Sequence, residues 1–294
     1  MSLNKPIYKL KKWIDIKKIF SIYFSLNQNA IQLLTENPEY IDWCHLSLNK
    51  NAIELLIQNP TKINWSYLSC NPNAINILEK NIDKIQWYNL SANPNAIELL
   101  INNYNNIKWN HLSRNPNAIE LLTKNKDKIN WYNLSSNPNA IEIIKDNLIN
   151  INWSELSRNP NAIKILEENQ DKIDWYQISS NPNAIKLIKN NLNKIDWSEL
   201  SRNPNAIEIL INNENNIDWY ELSYNPNAIY ILEKNQNKID WNALSSNPNI
   251  FELDYQIMTN NNIEMYEELI KEVMKPSRIF KYPNIDYIEV LFGE

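Results

Sequence analysis

Glycine is almost absent from this 294-residue chain, in which Gly293 is the only one. A glycine-rich phosphate-binding loop needs several closely spaced glycines, so the sequence excludes a nucleotide site of that kind. Backbone positions that glycine normally fills must go to another residue, and asparagine is the main substitute. Asparagine is correspondingly abundant, at 55 of the 294 residues.

Cysteine and long apolar runs are also scarce. Cys44 and Cys70 are the two cysteines, too few for a disulfide framework, and they favour a reducing, intracellular compartment. No apolar run approaches the ~20 residues that span a bilayer. Lysines and Asp15 interrupt the N-terminal segment, which therefore lacks the apolar core of a secretory signal.

The net charge of −5 is unevenly distributed. Residues 1–26 carry six lysines and one aspartate, whereas residues 247–294 carry nine acidic and four basic side chains. The segment between them is therefore acidic as well, with a net charge of −5. Nucleic-acid binding depends largely on phosphate neutralisation by basic side chains, so this distribution argues against a nucleic-acid partner.

A 22-residue repeat occupies most of the chain. Tryptophan recurs every 22 residues, at positions 43, 65, 87, 109, 131, 153, 175, 197, 219 and 241. The unit reads NPNAIxLLxxNxxxIxWxxLSx, and ten units run without insertion from Asn27 to Ser246. We number them units 1–10, and we number the places within each unit positions 1–22. Self-similarity at this period predicts a repeat architecture in which each unit packs on its neighbours.

Each unit is predicted to form two short helices. Asparagine before proline fits an N-cap, and proline fits the first helical position. The apolar residues at positions 4, 5, 7 and 8 then form one face of a helix of about ten residues. The asparagine at position 11 is expected to end that helix in the left-handed conformation. Asp196 with Glu199, and Asp218 with Glu221, resemble capping boxes that open a second helix of about five residues. A 3₁₀ turn is equally compatible with so short an element.

The expected fold is an all-α solenoid of ten two-helix repeats with degenerate capping units at both ends. Residues 1–26 are interpreted as a basic N-terminal cap, 27–246 as the repeats, and 247–294 as an acidic C-terminal cap and tail. A helix is expected over residues 263–274, followed by a terminal segment from Pro276 to Glu294. Stacked units at ~8–10 Å would give a rod or arc.

The unit also resembles a known family. NPNAIxLLxxNxxKIxWxxLSxNP, together with the ending NPNIFELDY and EELIKEVMKPSRI, is similar to tandem repeats in proteins of giant DNA viruses of the mimivirus type. The resemblance covers roughly residues 19–280. It implies an α-helical viral repeat protein located in the host cytoplasm or in the virion, and it supplies no catalytic residues.

Two sets of side chains that recur in every unit are open to a structural or a binding interpretation. The tryptophans could stack sugars, bases or methylated lysines, but their recurrence beside isoleucine and leucine favours core packing. The asparagines at positions 3 and 11 could bind a ligand, but capping and hydrogen bonding between units are favoured.

The variable positions are better candidates for a binding surface. Tyrosine at position 18 and arginine at position 22 each recur every 44 residues, and both residue types are enriched in binding hot spots. The alternative is a recently duplicated 44-residue cassette with no role for the spacing. The candidate partner-binding residues, which we call the Tyr/Arg face, are Tyr88, Tyr132, Tyr176, Tyr220, Arg114, Arg158 and Arg202.

No catalytic, cofactor or metal site is predicted. His45 and His111 share position 19 but lie three units apart, and with the two cysteines they form no ligand spacing. No nucleophile–histidine–acid set is visible. The basic segment 7–24 has the composition of a membrane-surface helix, but part of it aligns with the repeat, which favours a cap.

The expected function is therefore a non-enzymatic scaffold that binds a partner protein, itself viral or from the host. The alternative is a structural or assembly component of a virion. A third interpretation is a helical repeat protein that reads single-stranded RNA. The sequence identifies neither the partner nor the oligomeric state.

Overall fold

The computed structural model describes residues 6–260, so the helix expected over 263–274 and the segment 276–294 lie outside the described residues. The chain divides into two compact parts, which are described separately. One part is Lys12–Ile250, and the other draws on Met1–Lys11 and Phe251–Glu294.

The repeat region is an all-α solenoid, which confirms the predicted fold class. The first helices of units 1–10 are Ile31–Glu36, Ile53–Gln58, Ile75–Glu79, Ile97–Asn102, Ile119–Lys124, Ile141–Lys145, Ile163–Glu168, Ile185–Lys189, Ile207–Ile211 and Ile229–Lys234. The second helices are Trp43–Leu48, Trp65–Cys70, Trp87–Ser91, Trp109–Leu112, Trp131–Ser135, Trp153–Arg158, Trp175–Ser179, Trp197–Arg202, Trp219–Tyr224 and Trp241–Ser245.

Short 3₁₀ turns connect the two helices in eight of the units. They are Pro38–Tyr40, Pro60–Lys62, Ile82–Lys84, Tyr104–Asn106, Lys126–Lys128, Gln170–Lys172, Glu214–Asn216 and Gln236–Lys238. Further short elements are the helix Ile16–Ile19 and the 3₁₀ turns Ile22–Leu26, Pro226–Ala228 and Pro248–Ile250. The prediction of unequal helices was wrong, because both helices of a unit are four to six residues long.

The first helix begins later than the sequence predicts. Its N-cap is the alanine of position 4, and the Asn-Pro pair stands before the helix. In unit 5, Asn115 Oδ1 accepts a hydrogen bond of 2.9 Å from the backbone N–H of Asn117. Because this side chain hydrogen-bonds within a local turn that precedes the helix, it stabilises the connection between two helices and does not cap the helix.

The asparagine at position 11 ends the first helix by a different mechanism from the one predicted. Asn125 has φ −130° and ψ 53°, so its backbone is not left-handed. Its Nδ2 donates a 2.8 Å hydrogen bond to the carbonyl oxygen of Leu121, one turn back. The side chain thus satisfies a carbonyl left free at the helix end, which is the part of the predicted C-cap role that the structure retains.

Asparagine at position 1 links each unit to the two units before it. Asn137 is fully buried, and its Nδ2 donates to the carbonyl oxygens of Ser113 and Asn115 at 3.0 and 2.9 Å. The same pair of bonds recurs at every unit. The donors are Asn27, Asn49, Asn71, Asn93, Asn115, Asn137, Asn159, Asn181, Asn203, Asn225 and Asn247. We call this series the asparagine ladder.

Two further hydrogen bonds join neighbouring units. Asn139, at position 3, donates from Nδ2 to the carbonyl oxygen of Pro116 at 2.9 Å, which confirms the predicted structural role of that position. Ser135, at position 21, donates to the carbonyl oxygen of Trp131 and accepts from the backbone N–H of Asn152 in the next unit. Each junction between units is therefore polar and hydrogen-bonded at its centre.

The apolar core is a narrow column of small and medium side chains. The alanines of position 4 and the leucine or isoleucine residues of positions 8 and 20 are fully buried in every unit. In unit 5 these are Ala118, Leu122 and Leu134. Their burial stabilises each unit by about 1.5–3 kcal/mol for each large side chain, and no unit buries them without its neighbours.

The two ends of the repeat region contact each other and complete an eleventh unit. Residues 247–250 supply its first positions, and residues 12–26 supply its second half. Asn27 Nδ2 donates to the carbonyl oxygens of Ser245 and Asn247 at 3.0 and 2.8 Å. Ser21 Oγ lies 2.8 Å from Ser245 Oγ, and the rings of Trp13 and Trp241 meet edge to face. The residues expected to cap two separate ends thus join them, and the asparagine ladder is circular within Lys12–Ile250.

The second compact part contains a two-stranded antiparallel sheet, which the sequence did not predict. Strand Tyr8–Leu10 pairs with strand Phe251–Leu253, with Lys9 opposite Glu252. Lys9 and Lys11 form ion pairs with Asp254 and Glu252 at 3.8 and 3.7 Å. The opposite charges of the two terminal segments are therefore complementary across this sheet.

Among the residues that the structure describes, no helix is both long and apolar enough to cross a membrane.

Replacing a member of the asparagine ladder should weaken the array. Asn137→Ala removes two buried hydrogen bonds and leaves carbonyl oxygens unpaired, so we expect a loss of about 2–4 kcal/mol in the free energy of unfolding. Exposed Asn150 has no side-chain hydrogen bond among the described residues, and Asn150→Ala should cost under about 0.5 kcal/mol. Urea unfolding followed by circular dichroism compares them, and equal midpoints would contradict the role of the ladder.

Closure of the array can be tested with a disulfide. In a Cys44→Ser, Cys70→Ser background, Ser21→Cys with Ser245→Cys should cross-link under mild oxidation, because the two hydroxyl oxygens lie 2.8 Å apart. The matched control pairs Ser21→Cys with Ser135→Cys, which occupies the same position of another unit. Non-reducing electrophoresis and intact mass detect the link. An open array would give no more cross-link in the first pair than in the control.

Candidate functional site

The tryptophans have intermediate burial in all ten units and lie outside the fully buried core, so the prediction of core packing is confirmed only in part. The fully buried positions are taken by smaller side chains. Each indole belongs to the first residue of a second helix, at the junction with the following unit. The ring therefore covers the junction with one side and reaches the surface with the other.

Lysine covers the exposed side of six of these rings. The lysine at position 14 of one unit places its Nζ 4.5 to 4.9 Å from the centroid of the preceding unit's indole. The pairs are Lys18–Trp241, Lys84–Trp65, Lys128–Trp109, Lys172–Trp153, Lys194–Trp175 and Lys238–Trp219. An ammonium over an indole face is attracted by the ring quadrupole. The Lys18 pair lies across the closing junction, so this second series of contacts also spans it.

The tyrosines of the Tyr/Arg face project from the second helices of alternate units. Tyr88, Tyr132, Tyr176 and Tyr220 are each about half exposed, at 48 to 53%. Large aromatic side chains that stay this accessible in a regular series contribute little to the core. They are available for contact with another molecule.

The arginines of the same face are exposed and are held by the following unit. Arg114 donates to Asn133 Oδ1 at 2.9 Å, and Arg158 Nε donates to Gln177 Oε1 at the same distance. Arg202 forms an ion pair with Glu221 at 3.6 Å. In each case the acceptor occupies position 19, one unit on, so the spacing of the repeat itself orients the guanidinium group.

Electrostatic contacts connect the tyrosines and arginines into one surface. The pKa of Tyr132 is raised by a hydrogen bond to Glu155 and by its charge, while Arg114 and Arg158 oppose the shift. The pKa of Tyr176 is raised in the same way by Glu199, against Arg158. Arg114 and Arg158 therefore both act on Tyr132, and Arg158 also acts on Tyr176.

The two outer tyrosines have different neighbours. Tyr88 meets the ring of His111 edge to face at 4.5 Å, and burial together with Arg114 lowers the pKa of His111. The Tyr220 and Tyr224 hydroxyls lie 3.1 Å apart, and Arg202 lies over the Tyr224 ring. The Tyr/Arg face thus has a tyrosine beside a histidine at Tyr88 and a pair of tyrosines beside an arginine at Tyr220.

Within residues 6–260, no group of three or more histidine, cysteine, aspartate or glutamate side chains is arranged to hold a metal ion. His45 Nδ1 instead lies 2.8 Å from Asp42 Oδ1, the cap of its own helix. Cys44 is exposed, and burial raises the pKa of the Cys70 thiol.

Position 19 belongs to the site, although the sequence analysis did not single it out. Its side chains fix both the tyrosines and the arginines, as Glu155, Gln177 and Glu199 show. The signal was available, because position 19 varies widely, whereas positions 17 and 21 are invariant and position 20 is always leucine or isoleucine. The pairing itself was not visible, since it joins residues 19 to 23 apart in different units.

The capping boxes are half confirmed. Asp196 and Asp218 accept from the backbone N–H groups of Glu199 and Glu221 at 2.8 and 3.2 Å. The reciprocal bond is replaced, because the Asp218 N–H donates to Ser201 Oγ of the preceding unit. The Glu199 carboxylate is thereby left to accept from Tyr176.

Comparisons of the chain with protein-family models, with curated proteins and with solved structures gave no significant match.

The Tyr132–Glu155 contact predicts a measurable pKa change. Because the Glu155 carboxylate accepts from the phenol and repels the phenolate, Glu155→Gln should lower the pKa of Tyr132 toward its ordinary value. Tyr176, which pairs with Glu199, should be unaffected. A pH titration of the tyrosine ring resonances measures both, with the exposed Glu168→Gln as control. An unchanged Tyr132 titration would rule the contact out.

Proposed function

We propose that the chain is a non-enzymatic scaffold that binds a partner protein through the Tyr/Arg face. The observation that carries this proposal is the continuous group of Arg114, Tyr132, Arg158 and Tyr176. These side chains are exposed, yet neighbouring units hold them in place. Tyrosine and arginine dominate binding hot spots because they combine a large contact area with hydrogen-bonding groups.

Pre-ordering supports the same proposal. Side chains that are already held lose less conformational freedom on binding, which reduces the entropic cost of forming an interface. Arg158 is fixed by Gln177, and Tyr132 by Glu155. The face is supported by closely packed second helices, whose mutual arrangement the asparagine ladder maintains. It therefore presents a rigid surface.

The resemblance to giant-virus repeats also supports a proposal about where the protein acts. A viral protein with this surface would act on a host or viral partner in the reducing environment of the host cytoplasm. The two free cysteines agree with such a compartment.

Simultaneous replacement of Tyr132, Arg158 and Tyr176 by alanine should abolish partner binding without loss of helicity. Hot-spot truncations each cost at least about 2 kcal/mol, so we expect a loss of binding of more than about thirtyfold. The measurement is stoichiometric recovery of a protein from nuclease-treated host-cell lysate by the tagged chain, followed by titration with the recovered protein.

The matched control replaces three exposed residues of the first helices, Glu98, Glu142 and Lys186, with alanine. This variant should bind as the parent does. Undiminished recovery by the Tyr132, Arg158, Tyr176 variant would remove the Tyr/Arg face as the binding surface. Recovery that disappears with nuclease would favour RNA.

A further inference from the structure

Four of the ten repeat indoles have no lysine over them in the described part of the chain. At three of these, the following unit carries asparagine at position 14 in place of lysine: Asn106 after Trp87, Asn150 after Trp131 and Asn216 after Trp197. Elsewhere, six indoles receive a lysine from that position. The repeat geometry thus provides a place for an ammonium group that the chain itself leaves unfilled at some junctions.

Two junctions form a matched pair that isolates this difference. The second helices Trp153–Arg158 and Trp197–Arg202 have the same sequence, WSELSR. In both, the serine after the tryptophan donates to the aspartate at position 16 of the next unit, with Ser154–Asp174 at 2.6 Å and Ser198–Asp218 at 2.8 Å. Lys172 Nζ lies 4.8 Å from the Trp153 centroid, whereas Asn216 takes the corresponding place near Trp197.

The charges around Trp197 favour a cation. Unit 9, residues 203–224, contains Glu208, Glu214, Asp218 and Glu221 and no lysine or arginine. Asp218 is held against the helix that Trp197 begins, by its bond to Ser198. Burial, Asp218 and Glu199 raise the pKa of Glu221 against the opposing effect of Arg202, which indicates crowding of like charges. By contrast, the unit that follows Trp87 places Lys108 at position 16.

We propose that the indole of Trp197, at the junction of units 8 and 9, is an open cation–π site that takes the lysine ammonium of a basic partner segment. Trp197 supplies the ring face, and Asp218 with the other acidic side chains of unit 9 supplies the surrounding negative potential. The exposed amide of Asn216 stands where a lysine of the chain closes the equivalent site.

The occupants of the other junctions identify the ligand class. A sugar or a base would also stack on indole, but neither needs the acidic surroundings. The chain's own lysines show that an ammonium on a flexible stem reaches the ring in this geometry. A basic peptide segment therefore fits the site better than a neutral ligand. The site requires none of Tyr132, Arg158 and Tyr176, so the two inferences can fail independently.

The test exchanges the two junctions. Asn216→Lys should let the chain fill its own site, and Lys172→Asn should open a second site at Trp153, where Asp171 and Asp174 flank the position. The probe is a tetralysine peptide titrated into protein with ¹⁵N-labelled tryptophan. The indole N–H resonances are assigned by single Trp→Phe variants. In the unaltered protein the peptide should shift Trp197 saturably and leave Trp153 in place.

Asn216→Lys should weaken the Trp197 response by about two- to fivefold, the range expected for loss of one exposed cation–π contact. Asn212→Lys adds the same charge elsewhere in unit 9 and serves as the control. Lys172→Asn should bring a new saturable shift at Trp153. Equal weakening by Asn216→Lys and Asn212→Lys would show that the effect depends only on net charge, and it would overturn the site. A shift of the Trp153 resonance in the unaltered protein would also overturn it.

The Tyr132, Arg158, Tyr176 alanine variant should keep the tetralysine response at Trp197. If this variant no longer recovers the partner protein from lysate but keeps the tetralysine response at Trp197, both inferences are supported. If the response fails while the partner still depends on the Tyr/Arg face, the cation site is rejected and the scaffold proposal stands.

Discussion

The asparagine at position 1 is the interaction on which the array depends. Its amide donates once to each of the two preceding units and accepts once from its own unit, so one buried side chain uses three of its hydrogen-bonding positions. For Asn137 the two carbonyl oxygens belong to Ser113, at the end of a second helix, and to Asn115, the preceding asparagine of the ladder. Without it, every junction would bury two unpaired carbonyl groups, which cost about 1–3 kcal/mol each. The narrow apolar column beside it offers few large side chains to offset that loss.

The surface chemistry follows from the same junctions. Because neighbouring second helices are held at one repeat's spacing, position 19 of one unit meets positions 18 and 22 of the unit before it. Position 14 likewise meets the indole of the preceding unit. A substitution at any of these positions therefore changes a contact between neighbouring units. The variable residues thus determine which side-chain contacts form at each junction. Identical helices, such as Trp153–Arg158 and Trp197–Arg202, acquire different surroundings from the unit that follows them.

Much of this fold was predictable from the sequence, since the 22-residue period, the two helices and the acidic caps Asp196 and Asp218 are local features. The partial exposure of the tryptophans was not, because recurrence beside isoleucine and leucine is equally typical of a core residue and of a residue at a junction between units. The covering lysines recur visibly at position 14, but their rings lie 19 residues upstream in another unit, as Lys172 and Trp153 show. The conformation of Asn125 was mispredicted because its side chain reaches a carbonyl without a left-handed backbone. Closure depends on small rotations accumulated over many units, which no single unit encodes.

The split eleventh unit has a consequence for how such a gene can change. Open solenoids lengthen and shorten readily, because recombination between nearly identical repeats adds or removes a whole unit without disturbing the ends. Here Ser21 must meet Ser245, and Asn27 must meet Asn247, across the junction. A gain or loss of one repeat would displace those partners by a full step and leave both halves of the shared unit unmatched. The meeting of the two ends therefore fixes the number of repeats that this array can accommodate.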